Sequence, residues 1–108
     1  MPRISQFYVV LVTCSSLAEG RKIAHAVVEK RLAACANILT TPVESIYTWK
    51  GKFEKSREHL LIIKTTNRRL KALEREVLRL HSYETPEFIA LPISAGSSAY
   101  LAWISSNT

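Results

Sequence analysis

An α+β sandwich with the element order β-α-β-β-α-β, extended by a short C-terminal helix, is the fold class that this sequence predicts. Three observations lead there. Strand-like stretches rich in β-branched and aromatic residues alternate with stretches of helical period. Capping residues and Pro or Gly stops fall between them. The 108 residues, 47% of them hydrophobic, suffice for one compact domain over 1–108 and not for two.

The first strand covers residues 7–13, a continuous run (FYVVLVT) that reads as buried on both faces. Ser16, followed three residues later by Glu19, forms a capping box for the first helix. That helix places Ile23, Ala24, Val27, Val28 and Leu32 on one face and stops near Arg31 or Leu32. The second strand covers 34–40, is interrupted at Thr41-Pro42 and resumes at Val43. Lys50-Gly51-Lys52 is a turn, and the third strand follows over 53–66, charged in its first half and apolar at 60–63. Asn67 or Thr66 caps the second helix, whose stripe is Leu70, Leu73, Val77 and Leu80. The segment 81–86 ends that helix at Pro86. The fourth strand is 88–91, stopped by Pro92, and a short helix spans 100–104.

This order is the ferredoxin-like split βαβ arrangement. Right-handed crossovers place both helices on one face of the sheet. The first and second strands are then separated by the third, so Cys14 and Cys35 are not expected to bridge. No Cys-x-x-Cys pair supports a zinc ribbon.

The hairpin between the second and third strands is long for so small a domain. Residues 34–50, fully extended at ~3.3 Å per residue, would reach roughly 55 Å. The expected diameter of a domain of this length is only roughly 34 Å. The tip therefore projects, carrying Tyr47, Trp49 and Phe53. Each aromatic can bury about 150–250 Å², together on the order of 10 kcal/mol at ~25 cal/mol/Å². Pairing with another copy of the chain covers this surface and the free backbone edge. Tyr47, Trp49 and Phe53 are the expected interface of a homo-oligomer.

Formal charge is +6, and residues 50–79 carry ten Lys or Arg against four Glu. Such a bias is either the footprint of a polyanion site or a solvated helix and hairpin tip. No apolar run reaches membrane-spanning length, and the N-terminal apolar stretch is strand-length with no cleavage site after it. The expected compartment is the cytoplasm, with no membrane partner.

Seven ordered segments make the chain similar to the CutA family of divalent-cation tolerance proteins. They are 10–14 (VLVTC), 30–38 (KRLAACANI), 45–52 (SIYTWKGK), 61–65 (LIIKT), 81–87 (HSYETPE), 89–93 (IALPI) and 100–104 (YLAWI). The resemblance covers about residues 7–105. It implies a PII-like homotrimer, no enzymatic activity and a link to divalent metal, copper above all. It also implies a metal site made of a cysteine ending the first strand and two adjacent histidines after the second helix. Here Thr13 stands at the cysteine position with Cys14 one residue later, Leu80 replaces the first histidine, and only His81 matches. The candidate metal ligands are therefore Cys14 and His81, with Glu84 adding an oxygen; thiolate and imidazole together suit copper or zinc. No metal is expected to be required for folding.

A second reading is a small-ligand or anion-binding signalling protein, with Tyr47, Trp49, Lys64, Tyr83 and Glu84 lining the inter-subunit cleft. A third is an RNA-binding module of the same topology. The third strand (HLLIIKT, 59–65) lacks the aromatics that stack bases, which argues against nucleic acid. An acyl-phosphate hydrolase would need an arginine in a phosphate-cradling loop, whereas residues 13–16 read Thr-Cys-Ser-Ser.

Overall fold

The computed structural model of the chain describes residues 5–108. Its elements are β1 (Phe7–Cys14), α1 (Leu17–Glu29), β2 (Cys35–Ile38), β3 (Val43–Trp49), β4 (Lys52–Thr66), α2 (Asn67–Leu80), β5 (Ile89–Pro92) and α3 (Ser98–Ser106). The βαββαβ order holds. The predicted second strand is two pieces, β2 and β3, because residues 39–42 leave the ladder at Pro42. The Leu39 N–H still donates to Leu60 O at 2.9 Å, and His59 Nδ1 lies 3.0 Å from Leu39 O.

The antiparallel sheet runs β2-β4-β1-β5, and β3 pairs only with the first half of β4. One uninterrupted strand thus serves three partners, β1 and β2 with its second half and β3 with its first. Residues 59–66 of β4 lie beside β1 in the register Cys14↔His59 to Phe7↔Thr66. Residues 52–58 lie beside β3, from Val43↔Glu58 to Trp49↔Lys52. Because β4 separates β1 from β2, Cys14 and Cys35 remain apart, and both are free.

Both long helices cover one face of the sheet. Val10, Val12, Cys14, Ile23, Val27, Leu61, Ile63, Leu73 and Val77 are fully buried between the layers. Alternation along β1 and β4 puts these residues inward and their neighbours outward. The α1 stripe is Gly20, Ile23, Ala24 and Val27; Val28, predicted on the core face, is 39% exposed. The helix also ends earlier than predicted. Arg31 is left-handed (φ 57°), its N–H donates to Val28 O and that of Leu32 to Val27 O. That double closure terminates a helix after its cap residue.

Small differences elsewhere have local causes. Thr66 precedes α2, but its hydroxyl meets Thr108 Oγ1 at 3.3 Å instead of capping. Pro92 is the last residue of β5, beside Tyr8, where an edge strand tolerates its missing N–H. Helix α3 outruns the predicted 100–104 because Ser97 Oγ accepts from Tyr100 N at 3.3 Å, starting it two residues sooner.

Beyond the helices, β3 and the first half of β4 form a two-stranded ribbon. The molecule extends 43 × 33 × 24 Å, and its radius of gyration is 14.5 Å, against about 13 Å for a compact domain of this length. Lys50 (φ 52°) and Gly51 (φ 78°) make the tip; two left-handed residues match the strand twist. Cross-strand pairing divides the ribbon into two faces. Tyr47, Trp49 and Glu58 share one; Ile46 and Phe53, 60% and 79% exposed, share the other.

An ion-pair cluster ties α1 to α2. Glu76, only 9% exposed, accepts from Arg79 Nε and Nη2 at 2.9 and 2.8 Å and from Lys30 Nζ at 2.6 Å. The Arg79 and then the Lys30 hydrogen bonds hold its carboxyl at about 2, down from the ordinary 4.5. A depressed carboxyl stabilises the fold above its unfolded value, and that contribution is lost as pH falls from about 4.5 towards 2. The melting temperature of the wild type is expected to drop across this window. Glu76→Gln should melt lower at neutral pH and show a shallower acid decline. Parallel pH profiles for the two proteins would remove Glu76 from acid sensitivity.

Candidate metal centre and adjoining cleft

Three side chains from three elements meet at the ribbon end of the helical layer. Cys14 ends β1, Glu19 lies in the first turn of α1, and His81 caps α2. Each offers a ligand atom, and these atoms lie within 4.8 Å of one another. The α2 helix stops here because the His81 backbone is extended (ψ 142°), while its N–H still donates to Val77 O. That turn sends the imidazole inward, where its side chain is fully buried.

The hydrogen bonds around the ring assign its tautomer. The Nε2–H donates to Thr13 O at 2.7 Å, and Nδ1 accepts from Tyr83 N at 3.1 Å. A carbonyl accepts only and a peptide N–H donates only, so Nδ1 carries a lone pair. Facing it at 3.4 Å is Glu19 Oε1, buried and without a hydrogen-bond donor among the described residues. Two acceptors thus face each other beside a thiol. Burial, followed by the charges of Glu19 and Glu58, pushes the Cys14 thiol up to about 12. It is protonated at rest, and a metal that takes it as thiolate must displace that proton.

Glu84 does not join this group. The segment 82–87 turns Tyr83 inward and carries Glu84 outward, where it lies 3.8 Å from Lys50 Nζ with both side chains mostly exposed. Glu19 takes the place expected of Glu84. Its backbone N–H bonds to Ser16 Oγ at 3.1 Å as the capping box requires. Its carboxylate, however, turns into the core instead of reaching back to Ser16. In the sequence, Glu19 reads as a cap residue alone. The available signal was its position one turn after Cys14, where the helix start faces the end of the strand.

A cleft of about 720 Å³ opens on the other side of Thr13, between the ribbon and residues 82–87. Tyr47, Trp49 and Tyr83 supply aromatic walls; Glu58, Glu84 and Glu87 supply carboxylates. The Tyr83 hydroxyl donates to Glu58 Oε2 at 2.8 Å, and burial together with that bond raises its pKa. Burial, then Glu58, raises that of Glu87. Of the predicted cleft residues, Tyr47, Trp49, Tyr83 and Glu84 converge. Lys64 does not: it lies six residues from Glu58 along β4, roughly 20 Å, opposite Cys35, with its ammonium on Asn37 Oδ1. Without Lys64 the lining that one chain contributes is acidic.

A ferredoxin-like α+β domain with a projecting ribbon and a buried Cys–Glu–His cluster is thus the class that the fold and site define. The chain belongs to the CutA1 divalent ion tolerance protein family, whose model matches residues 8–107. It is 46% identical over 100 residues to the divalent-cation tolerance protein CutA of Thermus thermophilus, covering 93% of this chain and 96% of that protein. It is 45% identical over 100 residues to the chloroplastic protein CutA of Arabidopsis thaliana, covering 93% of this chain but only 54% of that longer protein. The crystal structure of CutA1 from the psychrotrophic bacterium Shewanella sp. SIB1 superposes with a TM-score of 0.93 at 39% identity, covering 98% of both chains. The family's description names tolerance of divalent ions and no reaction. Among the described residues, no helix is long and apolar enough to cross a membrane.

Proposed function

We propose that this chain is a single-domain, non-enzymatic homotrimer that binds a divalent metal ion, copper foremost, through Cys14, Glu19 and His81. One observation carries the metal reading: the orphaned Glu19 Oε1 and the His81 Nδ1 lone pair confront each other beside the Cys14 sulfur. A cation between them would satisfy the Glu19 oxygen and take over the Nδ1 lone pair from the Tyr83 N–H. The donor set is one sulfur, one nitrogen and one oxygen, which suits copper or zinc better than magnesium or calcium. The Thr13 carbonyl, accepting from Nε2–H, orients the imidazole as outer-shell partners do for metal-binding histidines. The trimer reading is supported by the exposed apolar residues of the ribbon. Two unpaired cysteines fit a reducing compartment, and the cytoplasm is the reading we favour.

Titration of the purified protein with Cu²⁺, and with redox-silent Zn²⁺, tests the metal reading. The wild type is expected to bind about one ion per chain, and His81→Ala to lose at least tenfold in affinity. Identical isotherms for the two proteins would place the metal elsewhere.

A further inference from the structure

Glu58 sits where β4 passes from the core sheet into the ribbon, and it is only 7% exposed. Buried carboxylates are normally paired with a cation. Among the described residues this one has none within ion-pair distance; its single side-chain hydrogen bond comes from the Tyr83 hydroxyl to Oε2, and the residue lines the cleft. Glu84 and Glu87 line the same cleft, so its charge is negative on a chain that is otherwise strongly basic.

The chain itself displays the chemistry that fits the mouth of this cleft. The ammonium of Lys50 lies 5.7 Å from the centroid of the Trp49 ring and 3.8 Å from Glu84 Oε2. An alkylammonium over an aromatic face and beside a carboxylate is a favourable pairing. Here it is held loosely, because both charged side chains are mostly exposed and solvent screens them. Alongside, Tyr47, Tyr83 and Glu58 repeat the same combination of ring and carboxylate, and no lysine stands among the described residues that line the cleft.

We propose that the cleft is a binding site for a small aliphatic amine, one ammonium seated against Glu58 between Tyr47 and Tyr83, and a second, where present, displacing Lys50 from Trp49 and Glu84. The cleft volume admits a linear diamine of lysine-like length. The site is separate from the Cys14–Glu19–His81 cluster, and the inference does not depend on the metal reading.

Calorimetric titration with 1,5-diaminopentane, n-butylamine and n-butyrate at matched ionic strength tests this. The diamine should bind at least tenfold more tightly than the monoamine, and butyrate should give no binding heat. Glu58→Gln should weaken diamine binding tenfold or more. Lys50→Met should strengthen it severalfold, since a resident competitor is removed; a merely structural role for Lys50 would not produce that gain. Cys14→Ser should leave amine binding unchanged even where it abolishes metal uptake. Absence of diamine binding at millimolar concentration overturns the proposal, as does equal affinity in Glu58→Gln, a loss in Lys50→Met, or a signal that follows ionic strength alone. If Glu58→Gln fails to fold, Trp49→Leu, on the exposed ribbon, replaces it with a severalfold weakening expected for the diamine.

Discussion

Replacing Cys14 by serine is expected to weaken Cu²⁺ and Zn²⁺ binding by ~100-fold or more while the fold survives. Thiolate is the soft donor of the proposed set, and a serine hydroxyl is a poor substitute at neutral pH. Loss even of an outer-shell partner commonly lowers metal affinity by about 10–100-fold, so loss of a direct ligand should exceed that. The fold should tolerate the exchange because the two side chains are nearly isosteric. Position 14 is fully buried, and an unpartnered hydroxyl there would be destabilising by about 1–3 kcal/mol. A partner is at hand: a Glu19 carboxylate oxygen lies within 4.8 Å of the sulfur. The measurement is chelator competition with each metal, alongside circular dichroism. A folded serine variant with wild-type affinity would exclude Cys14 as a ligand.

The second large effect concerns assembly. The wild type is expected to scatter light as a trimer at micromolar concentration, and Ile46→Ser combined with Phe53→Ser as a monomer of one third the mass. Both residues lie on the ribbon face opposite Tyr47 and Trp49, and they are the most exposed large apolar residues described. Burying each contributes about 1.5–3 kcal/mol, so the six copies in a trimer account for on the order of 10 kcal/mol. Removing that driving force should dissociate the assembly while leaving the core under α1 and α2 intact. A wild-type monomer, or a double variant still trimeric, would remove the ribbon from assembly. Tyr47 and Trp49 occupy the ribbon face opposite Phe53, where they line the cleft.

The fold was largely legible because each segment speaks locally. The run at 7–13 has no helical reading, Ser16 has an N-cap role, and the stripe Leu70–Leu73–Val77–Leu80 can bury only one side. Pro42 marked the break in the second strand but not its extent. That extent depends on His59 and Leu60 across the ladder, partners that only the register supplies. The site was legible in part. Cys14 and His81 stand out by residue type, whereas Glu19 looked fully explained by its cap. Only charge and rough position in the chain point to Glu84 and Lys64. Whether a loop residue turns in or out, as Tyr83 and Glu84 do in opposite senses, is decided by tertiary partners such as Glu58.

The alternation of β1 at its last two residues carries a consequence for how occupancy is sensed. Thr13 borders the cleft and Cys14 belongs to the Cys–Glu–His cluster, so a single peptide plane lies between the two proposed cation sites. Its carbonyl already accepts from His81. An ammonium on one side and a divalent ion on the other would repel through that plane, each lowering the affinity of the other by the same factor. The arrangement would make amine and metal mutual antagonists, with the occupancy of either reporting on the abundance of both.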